Sequence, residues 1–287
     1  MNSHRQGILY AVLAYGIWGL FPVYWKLLGS VPALEILSHR VIWSSLLLLG
    51  ILLSYNHWQE LVKLFSNPRQ LAPLLASASV LAFNWGLYIY GVNSDRIIET
   101  SLGYFINPLV TVLLGVIILR ERLQWLQWTA FGLATAGVGY SIFAVGQVPW
   151  IALGLAFSFG TYGLLRKVII VKPLLGLTVE TCLLAPVAIA YLGWHNDNHF
   201  GQNGVITLLL IGCGVVTSFP LFCFNSAVRQ LRLSTMGFFQ YIAPSLQLII
   251  GIWLYHEPFT RNNALVFGLI WTALALYSGT SLVNRQT

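Results

Sequence analysis

The sequence predicts an all-α polytopic membrane protein with ten transmembrane helices in two inverted five-helix repeats, and three observations lead there. Hydrophobic residues make up 57% of the 287 and charged residues only 8%, whereas roughly a quarter of the residues in a soluble globule are charged. The apolar residues gather into ten spans, each long enough to cross ~30 Å of hydrocarbon at a rise of 1.5 Å per residue. Landmarks of the first half also return at one fixed offset: Phe83/Phe219, Val92/Val228, Arg96/Arg232, Ile106/Ile242, Pro108/Pro244, Gly115/Gly251 and Glu121/Glu257. A unit with an odd number of spans, repeated in tandem, enters the membrane the other way round in its second copy.

The first span runs from Gly7 to Leu28. A short polar head with His4 and Arg5 precedes it, but the span outruns a signal-peptide core, carries Pro22 and Lys26 and lacks a small-residue cleavage site, so it is expected to be retained. Leu34 to Ser54 is the second span and encloses Arg40. The third, Ala72 to Gly91, follows a polar connection from Tyr55 to Leu71. Pro108 lies inside the fourth, Ser101 to Leu119, where it removes a backbone donor and kinks the helix. In the fifth, Leu126 to Ala144, Gly132 and Gly137 allow close helix approach. An uncharged linker from Gly146 to Pro149 then separates a first unit, residues 7–144, from a second, 149–283. The second unit's spans are Pro149 to Ile169, Gly176 to Trp194, Val205 to Phe224, Met236 to Leu254 and Asn263 to Val283, with Pro186, Pro220 and Pro244 inside them.

The net charge of +7 follows the positive-inside pattern and does not call for nucleic acid. With a cytoplasmic N-terminus, Arg5, Lys63, Arg69, Arg120, Arg122, Arg166, Lys167, Lys172, Arg229, Arg232 and Arg285 lie inside, against Lys26, Arg96 and Arg261 outside. Both termini are then cytoplasmic. No connection is long enough to fold as an ATPase or other soluble module, so energy for transport comes from a gradient or another chain. Cys182, Cys213 and Cys223 lack metal-ligand spacing, and no serine elbow, paired histidines or carboxylate cluster suggests an enzyme. No cofactor is implied, and a monomer and a homodimer both remain open.

The run SLGYFINPL at 101–109, LRERL at 119–123, HRVIWS at 39–44 and GVN at 91–93 resemble the RarD-type permeases of the EamA group, in the bacterial drug/metabolite transporter superfamily. QYIAP at 240–244 and the pair Glu257 and Pro258 fit the broader EamA pattern. The resemblance implies two inverted five-helix bundles, an inner-membrane location, alternating access and a small-molecule substrate. It does not choose that substrate.

Arg40 is the leading candidate for substrate contact, because a guanidinium inside a span is costly and usually faces the bundle interior. Two readings are open: a tie to backbone carbonyls or the interface, and a role in anion binding or gating. Glu35 is spaced to pair with His39. Asn84 and Tyr88 stripe the third span, Tyr104, Asn107 and Pro108 form a patch on the fourth, and Gln240, Pro244 and Gln247 stripe the ninth. Hydrogen bonding between helices competes here with lining a cavity; Tyr104 and Gln240, one repeat apart, are expected on opposite walls. Tyr241 stands behind them. Trp18, Trp25, Trp85 and Tyr162 offer stacking surfaces, while Trp25, Trp125, Trp128 and Trp194 also suit an interfacial belt. Pro108 and Pro244 are gating candidates, and Glu121 and Glu257 are expected in gate or terminal ion pairs, for example with Arg122 or Arg261. No carboxylate is expected at midplane, which leaves His39 as the coupling candidate and favours facilitated diffusion.

Overall fold

The computed structural model of the protein describes residues 3–94, 97–145, 149–194, 198–256 and 261–283, and all regular structure among them is helical. In chain order the helices are α1 Ser3–Leu27, α2 Ala33–Ser54, α3 Trp58–Phe65, α4 Pro68–Asn93, α5 Ile97–Ile117, α6 Trp125–Val145, α7 Trp150–Val168, α8 Pro173–Trp194, α9 Gly204–Gln230, α10 Leu233–Phe239, α11 Ile242–Tyr255 and α12 Arg261–Val283. Six segments among the described residues are long and apolar enough to cross a membrane: Ser3–Leu27, Ala33–Ser54, Pro68–Tyr88, Pro173–Trp194, Gly204–Gln230 and Leu233–Tyr255. Leu102–Ile117 and Ala264–Tyr277 are shorter apolar stretches. The spans expected from Leu126 and from Pro149 are helical as α6 and α7.

Two details differ from expectation. The connection from Tyr55 to Leu71 contains the helix α3, whose Leu61 and Leu64 are buried against Leu52 and Leu74. Its Glu60 accepts hydrogen bonds from Lys172 Nζ at 3.0 Å, which hold this exposed carboxyl below the ordinary range. The ninth span is also not one helix: it breaks at Gln240 and Tyr241 between α10 and α11. Pro244 has no N–H to offer the Gln240 carbonyl, so the helical bond across the break cannot form.

The principal helix packings are matched when the first group, α1, α2, α4, α5 and α6, is exchanged in order with the second, α7, α8, α9, α10–α11 and α12, although α7 and α8 on α9 and α5 on α6 have no counterpart of like extent. α1 packs on α9 as α7 packs on α4, α1 on α11 as α7 on α5, and α2 on α9 as α8 on α4. The pairs α2/α8, α5/α10 and α6/α12 map onto themselves. At such a self-mapped crossing Tyr241 Oη donates to the carbonyl of Phe105, 136 positions away, at 3.3 Å. Gly237 makes this crossing possible, since a Cβ there would stand 2.7 Å from the Pro108 carbonyl oxygen.

Arg120 and His256, again one repeat apart, both adopt left-handed backbone with φ of 53°. Arg120 stands three residues past α5 and His256 directly follows α11, and the carbonyls of Gly115 and Gly251 accept from the N–H groups of Glu121 and His256. Arg40 and Glu180 are each the eighth residue of a 22-residue helix, α2 and α8, about 10 Å along from its start.

Candidate functional site

α2, α4, α5 and α9 bring Arg40, Tyr88, Tyr104 and Thr217 to one place. Arg40 Nε donates to Thr217 Oγ1 at 3.0 Å. Its guanidinium carbon lies 5.0 Å from the Trp25 ring and 5.1 Å from the Trp85 ring, so the cation is flanked by two indoles. The Tyr88 and Tyr104 rings meet edge to face at 6.3 Å, and both hydroxyls lie within electrostatic reach of Arg40. Tyr104 sits deep in the bundle, on a helix packed by α4, α6, α7 and α10, yet keeps 44% of its surface open. Depth and exposure coincide when a side chain lines an internal opening. Two shallow hollows of about 390 and 400 Å³ lie elsewhere, one beside Tyr10 and Arg229 and one on the α4/α7 surface beside Phe83.

The other expected contacts are placed differently. Asn84 Nδ2 donates to the Leu155 carbonyl and Ser158 Oγ, at 3.0 and 2.8 Å, and so ties α4 to α7. Gln240 is buried and its Nε2 donates to Thr111 Oγ1 at 3.0 Å, so it joins α5 to the α10/α11 break and does not stand across an opening from Tyr104. Tyr241 is buried at its bond to Phe105. Trp18 belongs to an aromatic cluster with Tyr15, Phe159 and Phe224, and its carbonyl accepts from Gln247. Asn107 is half-buried, with its Oδ1 sealed among protein atoms. Pro108 and Pro244 are buried, at the α5/α10 crossing and at the start of α11. Trp125, Trp128 and Trp194 are exposed as a belt requires, but Trp25 turns to Arg40.

The expected Glu35–His39 pair is replaced. Glu35 accepts from the backbone N–H of His199 at 2.6 Å and pairs with its Nδ1 at 2.9 Å. His39 accepts at Nδ1 from Trp43 Nε1 at 3.2 Å and stacks on Phe200 at 5.0 Å.

Glu121 does not pair with Arg122 or Arg261. Gly115 clears its path to α10, where its carboxylate accepts from the N–H groups of Leu233 and Ser234, at 2.7 and 2.9 Å, and lies 3.8 Å from Arg232 Nε. This caps a neighbouring helix with a residue from the other half of the chain. Glu121→Ala is expected to lower stability by about 1–2 kcal/mol, read as the melting temperature of purified protein in detergent; an unchanged melt counts against the cap. Glu257 lies outside the described residues.

Glu180, expected at or near a span end, stands about 10 Å along α8 within the bundle. Its side chain is fully buried; Oε1 accepts from Ser77 and from Arg166 Nη1 at 3.3 Å, and Oε2 from Tyr162 Oη at 3.2 Å. Asn225 Nδ2 donates to Tyr162 Oη at 3.1 Å. Arg166 is 1% exposed, with Gly176 leaving room for its guanidinium. The cluster joins α4 to α7, α8 and α9. Sequence reasoning counted Arg166 among the cytoplasmic charges, placed Glu180 at or near a span end, and gave Tyr162 to a stacking surface. Thr217 carried no signal as a lone threonine in an apolar span.

The EamA-like transporter family matches twice, over residues 5–143 and 148–279. A RarD protein of Salmonella typhimurium is 47% identical, covering 95% of this chain and 94% of its own. A Vibrio cholerae protein described as an uncharacterized transporter is 46% identical over 96% and 92%. A solved crystal structure at 15% identity superimposes with a TM-score of 0.75 over 99% of both chains, a likeness of fold alone. With two family matches and relatives similar from end to end, the chain belongs to the EamA-like transporter family, as a RarD-type permease.

Proposed function

We propose that this permease moves a small organic molecule across the bacterial inner membrane by alternating access, through an opening lined by Arg40, Tyr88 and Tyr104. The observation that carries it is Tyr104: a deep, open aromatic beside a guanidinium, between helices from both parts of the chain. Ten helices in two inverted five-helix halves, 7–144 and 149–283, with both termini cytoplasmic, complete the reading. The matched principal packings, the paired left-handed turns and the two family matches support that division. Such halves rock about their shared crossings, and the substrate site lies between them.

Purified protein in vesicles loaded with a pooled metabolite extract is expected to exchange at least one compound by counterflow. Tyr104→Ala should change which compounds exchange while membrane insertion stays normal, and identical exchange profiles would remove Tyr104 from the site. Complete absence of exchange would favour a binding or scaffold role.

Transport down the substrate gradient is the simplest energetics, and His39→Ala is expected to retain it. Glu180 favours a second reading, proton-coupled antiport, because a buried carboxylate that binds and releases protons is how many carriers couple to a gradient. Uphill accumulation driven by an imposed pH gradient would select antiport; counterflow indifferent to pH gradients would select facilitation.

A further inference from the structure

We propose, resting on the transport reading above, that Arg40 binds the carboxylate of a monoanionic substrate whose aromatic or apolar body lies against Trp25, Trp85, Tyr88 and Tyr104. The guanidinium remains charged at every physiological pH. Its Nε is committed to Thr217, while neither terminal nitrogen makes a hydrogen bond among the described residues or is sealed away from the opening. The groups facing it are Trp25 from α1, Trp85 and Tyr88 from α4, Tyr104 from α5, and Cys213 and Thr217 from α9. None of them is an acid that would be ionised at neutral pH. Glu35, the acid on the same helix, is held by His199.

The matching position in the other half shows what the fold does with a charge it keeps for itself. Glu180, at the same depth in α8, is closed off and matched by Arg166, Ser77 and Tyr162. Arg40 has one hydroxyl and two indole faces, and no anion among the described residues. A charge at this depth without a counter-ion costs several kcal/mol, so a ligand that supplies the missing anion gains what the protein leaves unsatisfied.

The geometry narrows the anion. With Nε engaged, the two terminal nitrogens present a planar fork that matches the two oxygens of a carboxylate. One positive charge neutralises a monoanion, whereas a phosphate dianion would leave a net charge in a poorly solvated site. Amines are repelled. The flanking indoles and phenols suit a flat or apolar body, and the tyrosine hydroxyls can donate or accept at its edge.

The test uses the wild-type protein in detergent and a panel of small aromatic and aliphatic carboxylates, each matched by its primary amide and its amine, with affinity measured by thermal shift and calorimetry. Carboxylates are expected to bind about tenfold to a hundredfold more tightly than their amides, with amines not binding. R40Q should abolish the carboxylate preference, and R40K should keep it in weakened form. Thr217→Val, which frees the guanidinium without removing its charge, should weaken binding while the preference persists. Tighter binding of amides or amines, a preference that survives R40Q unchanged, or a panel with no carboxylate binder would each overturn the proposal. Carboxylates that bind yet never exchange across vesicles would leave the anion site standing and defeat transport; neutral compounds that exchange while carboxylates fail to bind would do the reverse.

Discussion

Glu180→Ala is expected to destabilise the protein by about 3–5 kcal/mol, the largest effect of any single substitution considered, because it leaves Arg166 charged and buried without a counter-ion. Arg166 is 1% exposed, so its charge is shielded from solvent. The same substitution takes the Glu180 acceptor from Ser77 and from Tyr162, so α4 and α7 lose their hydrogen bonds to α8 together. Glu180→Gln should be milder, since an amide oxygen still accepts from one donor. Removing both charges with side chains of similar volume, Glu180→Leu with Arg166→Met, should recover most of the loss, because desolvation opposes a buried ion pair as strongly as Coulomb attraction favours it. The measurement is thermal unfolding of purified protein in detergent, with membrane yield alongside. If Glu180→Ala melts like the wild type, the cluster does not hold the four helices together.

Gly214→Ala is expected to cost about 1–3 kcal/mol and to disturb Arg40. A Cβ at Gly214 would stand 2.7 Å from the carbonyl carbon and oxygen of Trp43, which are backbone atoms and cannot rotate aside. The Gly214 carbonyl also accepts from Ser44 Oγ at 3.3 Å, so α2 and α9 meet here with little between them. Pushing them apart draws Thr217, one turn along α9, away from Arg40. The variant should therefore weaken binding at Arg40 as well as lower the melt. Gly132→Ala is the control: nothing lies within 4 Å of its Cβ, and better helix propensity should leave the protein unchanged or more stable by up to about 1 kcal/mol. Equal losses at both positions would mean that helix contact is not what Gly214 provides.

Composition and apolar runs made the all-helical class legible, because a membrane demands long spans with internally satisfied backbone. The same offset separates Phe105 from Tyr241 and Arg120 from His256, pairs that carry no residue identity and so gave no signal in the sequence. Site residues were legible in proportion to how costly they are. An arginine inside a span has few acceptable surroundings, and Arg40 is flanked by Trp25 and Trp85 and bonded to Thr217. Amides such as Asn84 and Gln240 are cheap to satisfy against a neighbouring helix, and both are satisfied that way. The missed cluster has another cause: Arg166 lies in the last turn of α7 and Glu180 is expected near a span end, but both are covered by α4 and α9, and spacing along one chain cannot reveal what other helices cover.

Arg120 and His256 end their helices on one left-handed turn, but the first places a guanidinium there and the second an imidazole, both exposed. Neither is glycine, although a left-handed turn costs other residues about 1–2 kcal/mol, so the turn dictates the dihedral angle and not the residue. Insertion machinery takes no notice of dihedral angles; it responds to the positive charge beside an apolar hairpin. A duplicated unit can thus keep every packing surface and still reverse its direction of entry, by changing only side chains that leave the bundle at positions like these. On the inverted arrangement proposed above, the backbone of the two turns is what the halves hold in common, and a fixed positive charge stands on only one of them.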